Sequence, residues 1–335
     1  VAGLLLIGLA ADQEGAFAWA GGLLARSTKK GLALYVWSVL LVSVTTALLN
    51  LDTSVAFLTP VLLHSARQRN TDERPYLEAC ILLSNAASLL LPGSNLTNLI
   101  VLGHLHLTGS AFLERMWLPW AGAVGVTACV VAAFHSRGLL SASGSAETSP
   151  RPSPGPGMAG VAIASALVLV LPSPALPVLV TGLVVTAANL VRRRVQLAAA
   201  ARAVGLPVLA GLFAVAVALG TVGRIWSGPS ALLSRLGPWA TASMAAVSSV
   251  VVNNLPAASL LAARIPPHPF AMLVGLDVGP NLFATGSLAW FLWYRCARNA
   301  GASPSLFRTS ALGASSALFA MAVAVLLLGL TSSQG

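Results

Sequence analysis

The 335 residues are 56% hydrophobic and only 8% charged, far below the roughly 25% charged residues of a water-soluble domain. A formal net charge of +10 would suit a nucleic-acid partner, but the basic residues lie in short loops between apolar runs, as membrane topology demands, so nucleic acid is excluded. Runs near or above the roughly 20 apolar residues that cross a hydrocarbon core recur along the chain, which makes the lipid bilayer its main solvent and the protein a multi-pass one.

In chain order, a first apolar span ends near Ala10 and an interfacial piece follows to Lys30. The apolar run 31–66 is interrupted at Asn50–Asp52, and the run 75–107 at Gly93–Asn98; a span over 111–134 closes this half. Residues 136–157, with SASGSAETSPRPSPGPG, are rich in Ser, Pro and Gly and have little to bury, so they read as a flexible cytoplasmic linker. Spans over 158–171 and 174–191, the basic loop RRRVQLAAAAR and a span over 204–222 come next. The run 239–263 is broken at Asn253, Asn254 and Pro256, the run 268–297 at Asp277–Asn281, and a last span covers 306–330.

The same order of features appears twice. PGSNLTNL at 92–99 lies on VGPNLFAT at 278–285, pairing Gly93 with Gly279 and Asn95 with Asn281. The expected fold is therefore all-α and polytopic, with two repeats, 1–135 and 158–335, each holding a re-entrant helical hairpin (31–66 and 239–263) and a discontinuous transmembrane helix (75–107 and 268–297). The first repeat lacks counterparts of 158–171 and 174–191, so the chain is expected to begin roughly fifty residues into its unit, at about 20 per span. If the first hairpin enters from the cytoplasm, every basic residue except Arg115, Arg224, Arg235 and Arg264 falls inside. That bias follows the positive-inside rule and makes the two repeats inverted.

Backbone groups at membrane depth must be satisfied by protein or line a wet cavity. Two breaks per half at matching places imply one shared midplane cavity whose free helix ends can hold a polar or ionic solute. The candidate binding residues are Asn50, Thr53, Ser94, Asn95, Asn98, Asn253, Asn254, Gly279, Asn281 and Thr285, with Thr97 and Ser287 adding neutral donors and acceptors. Individually these side chains could equally cap half-helices. Asp12, Glu14, Asp72, Glu73, Glu78, Glu114 and Glu147 fall in loops or near span ends, whereas Asp52 and Asp277 sit deep, one in each half. Leaving water favours the neutral form of a carboxylate, so these two are the candidate proton carriers; the alternative is that each accepts backbone hydrogen bonds and never titrates.

His64, His104, His106, His135 and His268 form no metal-ligand pattern, and Cys80, Cys129 and Cys296 have no paired spacing and read as structural. Trp117, Trp120, Trp290 and Trp293 lie near span ends and read as interfacial anchors. No phosphate-binding loop is present, and no cofactor is expected.

At the broken segments the chain resembles the arsenite and antimonite efflux permeases of the arsenical-pump membrane protein family, within the ion transporter superfamily. The resemblance is carried by LDTSVAFLTPV at 51–61, SLLLPGSNLTNLI at 88–100, VNNLP at 252–256 and DVGPNLFATGSLAWFLW at 277–293. It implies hairpin tips at Asn50–Thr53 and Asn253–Pro256 and helix breaks at Gly93–Asn98 and Gly279–Asn281. Many members have Asn-Asp where this chain has Leu51-Asp52, an Asp at Asn85 and a Lys at Asn281. It further implies a non-enzymatic transporter of the inner (plasma) membrane that exports metalloid hydroxides in exchange for protons, sometimes with a soluble arsenite-stimulated ATPase partner. A sodium/proton antiporter or sodium-coupled anion carrier of the same superfamily is the alternative, since Asn side chains and helix-end carbonyls suit Na⁺ equally. An intramembrane aspartyl protease ranks below both, because GLD at 275–277 lacks the GxGD spacing.

Overall fold

In lipid an apolar segment has only its own backbone to bond, and the helix satisfies that demand segment by segment. The computed structural model describes residues 2–26, 30–103, 105, 107–141, 155–171, 175–193 and 195–332. The chain first forms α1 (Ala2–Gln13), α2 (Ala16–Arg26), α3 (Gly31–Leu48), α4 (Leu51–Gln68), α5 (Arg74–Ala87), α6 (Leu96–Leu102), α7 (Gly109–Phe134) and α8 (Ser136–Ser141). There follow α9 (Pro156–Val170), α10 (Ala175–Val191), α11 (Leu197–Val204), α12 (Leu206–Ile225) and α13 (Gly228–Leu233). The last are α14 (Pro238–Val252), α15 (Asn254–Leu261), α16 (Pro269–Val278), α17 (Leu288–Asn299) and α18 (Leu306–Ser332). Most of the expected linker, over 142–154, and both His104 and His106 lie outside the described residues. Among those described, 4 helical stretches are long and apolar enough to cross a membrane: Gly31–Leu48, Gly109–Phe134, Leu197–Ile225 and Leu306–Thr331.

The expected interruptions are real. Asn50, at φ 153°, separates α3 from α4, and Asn253, at φ 76°, separates α14 from α15. Asn is one of the few residues other than Gly that tolerate positive φ, and its side chain then caps the helix that follows. A 3-10 turn at Pro92–Ser94 lies between α5 and α6, and another at Gly279–Leu282 between α16 and α17. The first break begins earlier than the sequence suggests, because α5 ends at Ala87 and Asn98 belongs to α6.

Neighbours recur in both halves. α3 packs on α5 as α14 packs on α16, and α4 packs on α17 as α15 packs on α6. Between them α7 and α18 run antiparallel: Thr331 Oγ1 donates to the Arg115 carbonyl at one end, and the Arg308 guanidinium lies 5.6 Å from the Phe134 ring centroid at the other. The start of α5 is at the Phe134 end, where Glu78 meets His135 at 2.6 Å, and Tyr76 Oη donates to the Gly31 carbonyl at the start of α3. α4 returns to that end, since Arg67 binds Glu73 at 2.9 Å just before α5. Trp239 and Phe270, at the starts of α14 and α16, line a cavity with Arg115 and Leu328, at the other end. The two hairpins thus enter from opposite ends of the molecule.

Between apolar helices in lipid, close contact replaces the hydrophobic effect as the source of cohesion, and small residues allow it. A methyl group on Gly275 would lie 2.1 Å from the Ala242 carbonyl oxygen, and one on Gly279 2.5 Å from the Ala246 backbone, so α14 and α16 touch backbone to backbone. One expectation is corrected here. Trp290 and Trp293 are not interfacial anchors: both are fully buried, edge to face at 5.6 Å, and donate to the carbonyls of Pro280 and Leu77. Glu14 and Glu78 are near span ends but buried, and both are used: Glu14 accepts from the N–H groups of Gly157 and Met158 at the start of α9, and Glu78 pairs with His135.

Candidate substrate cavity

Both hairpin tips and the first break meet at one cavity of about 180 Å³, which the start of α17, just past the second break, completes. Its wall holds Asn50, Leu51 and Asp52 from the first tip, Gly93–Leu96 from the first break, Asn254 and Leu255 from the second tip, and Leu288 and Ala289 from α17. Leu4, Ala175 and Val178 close the apolar side.

Because each break restarts a helix at this wall, helix N-termini converge on it. An N-terminus leaves its first N–H groups without intrahelical partners and carries roughly half a positive charge. Asn50 Oδ1 accepts from the Thr53 N–H at 2.8 Å, Asn95 Oδ1 from Thr97 at 3.3 Å, and Asn253 Oδ1 from Leu255 at 3.4 Å. These three are caps. The N–H groups of Leu51 and Asp52 in α4, and of Leu288 and Ala289 in α17, have no partner among the described residues. Residues with unpaired N–H groups from the starts of two helices therefore line one space.

Of the candidate residues, Asn50, Asp52, Ser94, Asn95 and Asn254 line the cavity. Asp52 is half-buried, whereas Ser94, Asn95 and Asn254 are buried. Thr53, Asn98, Asn253, Gly279, Asn281, Thr285 and Asp277 are not part of its wall. Thr53 is buried behind it, its Oγ1 without a partner. Asn98 donates to the carbonyls of Ser88 and Leu91 at 2.8 and 3.1 Å, holding the unwound segment in place. Asn253 Nδ2 donates to the Thr285 carbonyl and Thr285 Oγ1 to that of Val250, which ties the second tip to the second break. Gly279 serves packing against α14.

Asp277 lies one layer behind the wall, fully buried. Its Oδ1 accepts from Asn95 Nδ2 at 2.9 Å and Thr97 Oγ1 at 2.7 Å. Asn95 is thus both a wall residue and a donor to Asp277, so the cavity and the buried acid share one side chain. The two deep carboxylates differ: Asp52 faces the cavity, and Asp277 is reached through Asn95.

A second amide cluster was not foreseen. Asn85 Nδ2 donates to Asn281 Oδ1 at 2.8 Å, Asn281 Nδ2 to the Leu82 carbonyl at 2.8 Å, and Ser287 Oγ to Asn85 Oδ1 at 3.1 Å. Each half thus grips the other at its break. The only signal in the sequence was that Asn85 and Asn281 are the two positions where the resembled family carries an acid and a base. No group of three or more His, Cys, Asp or Glu residues among those described could hold a metal ion.

A protein-family model described as citrate transporter, CitMHS, matches residues 1–290. In structure the chain is similar to the YdaH transporter of Alcanivorax borkumensis, whose crystal structure reveals an unusual topology; identity is 16%, the TM-score is 0.49, and the match covers 98% of this chain and 84% of that one.

Proposed function

The chain belongs to the citrate transporter family, CitMHS, and from that premise we propose that it carries a small carboxylate anion across the plasma membrane through the tip cavity, coupled to protons. The observation that carries this reading is the pair of helix N-termini, α4 and α17, that offer the unpaired N–H groups of Leu51, Asp52, Leu288 and Ala289 to one space. Such ends attract negative charge, and carboxylates dock on them without help from Arg or Lys. Asn50, Ser94, Asn95 and Asn254 add neutral polar groups around the solute.

Among the described residues no Arg or Lys lines the cavity, and Asp52 does. A tricarboxylate cannot shed its hydration there against a fixed carboxylate unless part of its charge is offset. Protons taken up by the solute or by Asp52 provide that offset, and their return across the membrane provides the driving force. Asp277, joined to the wall through Asn95, is the second proton site. Opposed hairpins and antiparallel α7 and α18 support two inverted repeats, 1–135 and 158–335, that alternate access around this midplane site.

The absence of a cationic side chain from the wall also favours a second reading, a neutral metalloid hydroxide such as arsenous acid, exported in exchange for protons with or without a soluble ATPase partner. Proteoliposomes separate the two. Labelled citrate uptake driven by an imposed proton gradient, saturable and unaffected by replacing Na⁺ with K⁺, is the expected result. Arsenite or antimonite flux in its place would overturn the carboxylate reading, and a strict Na⁺ requirement would replace the proton as coupling ion.

A further inference from the structure

A second cavity, of about 270 Å³, opens at the end of the molecule where α14 and α16 begin, and it shares no residue with the first. Two basic side chains, Arg115 and His268, line it beside the Trp239 indole. The Arg115 guanidinium lies 4.9 Å from the centroid of the Phe270 ring, a stacking that orients its plane and leaves its N–H edges for a ligand. Neither basic group is paired with an acid among the described residues, and no carboxylate lines the cavity. Glu114, next to Arg115 in sequence, is exposed and outside the wall.

The remaining wall matches a ligand with a charged head and an apolar body. Ala271, Val325, Leu328 and Gly329 form its apolar part. Arg115 lies six residues into α7, about 9 Å along it at 1.5 Å per residue, which is the depth of an interface rather than of the hydrocarbon centre. Trp239, half-exposed beside it, belongs to the same level. The N–H groups of Trp239, Phe270 and Ala271 have no partner among the described residues and add donors to the same space.

We propose that this cavity binds a phosphate-bearing anion at the membrane interface, with Arg115 and His268 on the phosphate, Trp239 at its rim and the apolar wall beside the chain of an anionic phospholipid. Guanidinium and phosphate form paired hydrogen bonds that an ammonium or amide cannot reproduce. The site is separate from the solute path, so its occupancy is independent of which solute the first cavity carries.

Native mass spectrometry of the purified full chain, titrated with phosphatidylglycerol, phosphatidylcholine or inorganic phosphate, tests this. Phosphatidylglycerol is expected to bind the wild type at least about tenfold more tightly than phosphatidylcholine, and Arg115→Gln to abolish that preference. Arg115→Lys keeps part of it, and His268→Ala lowers it independently should Arg115→Gln fold poorly. Arg115-dependent binding of inorganic phosphate with no preference among lipids supports the phosphate site and assigns it to a free anion. A phosphatidylglycerol preference that survives both Arg115→Gln and His268→Ala, or no binding of either phosphate probe above that of phosphatidylcholine, overturns it.

Discussion

The Asn85 amide donates to Asn281 Oδ1 at 2.8 Å, across 196 residues of sequence, and so joins α5 of the first half to the break of the second. Both side chains are fully buried and their donors are used. Placing Asp at 85 or Lys at 281 alone buries an unpaired charge and is expected to cost about 3–5 kcal/mol. Together they can pair, so Asn85→Asp with Asn281→Lys should recover a large share of that loss. Thermal unfolding of the four proteins measures the coupling; additive losses would show that the two positions do not act as one contact.

Asp277→Asn keeps shape and the acceptor toward Asn95 and Thr97 but removes the titratable oxygen. Stability should change by no more than about 1 kcal/mol, while uphill transport falls at least tenfold, roughly 1.4 kcal/mol in the coupled step. Unfolding and proton-driven uptake, measured on the same preparation, check the two halves of this expectation.

Asp52 shares the cavity with the proposed solute. In Asp52→Asn, proton-driven accumulation should be lost and its pH dependence flattened, yet solute exchange should persist. Removing a like charge tightens the binding of an anion, so KM for citrate exchange should fall by about threefold or more. A neutral metalloid would show no such fall.

At the loop before α5, Asp72 binds Arg74 at 2.8 Å. Partial burial pushes the Asp72 carboxyl up, but the hydrogen bonds and charge of Arg74 outweigh it and hold the group below its usual range. A lowered folded value means stability that is present above about pH 4 and lost as pH falls through the folded value. The pair is largely exposed, so Arg74→Gln should cost at most about 1 kcal/mol and should remove this part of the acid sensitivity. Unfolding at pH 3 and pH 6 measures both.

Gly275 has no room for a side chain, since a methyl group would lie 2.1 Å from the Ala242 carbonyl oxygen. Gly275→Ala must separate α14 from α16 and is expected to cost about 1–3 kcal/mol. At Gly93, where a methyl group meets nothing within 4 Å, Gly93→Ala should leave unfolding within about 0.5 kcal/mol of the wild type.

The breaks were legible because they violate what lipid allows: Asn50, Asn95, Asn253 and Asn281 interrupt apolar runs, and polar backbone at that depth needs a purpose. The placement of basic loops raises the expectation that the hairpins enter from opposite sides. What each Asn does was not, because capping and solute binding call for the same side chain: Asn50, Asn95 and Asn253 cap, Asn281 clasps Asn85, and Asn254 faces the cavity. Trp290 and Trp293 misled because closeness to a span end in sequence does not say whether the face is lipid or protein. The pairing of Glu78 with His135 joins residues 57 apart on different helices, and no local pattern predicts it.

Gly275 and Gly279 flank Asp277 on either side, and both press α16 directly against the first arm of the second hairpin. That arm and the acid are consequently one rigid lever. In the proposed alternating access, a tilt of this hairpin swings the carboxylate by the same stroke, away from or toward Asn95 and Thr97 on the opposing half. Under the proposed proton coupling, proton exchange and solute release need no messenger between them, since they are two ends of a single mechanical displacement.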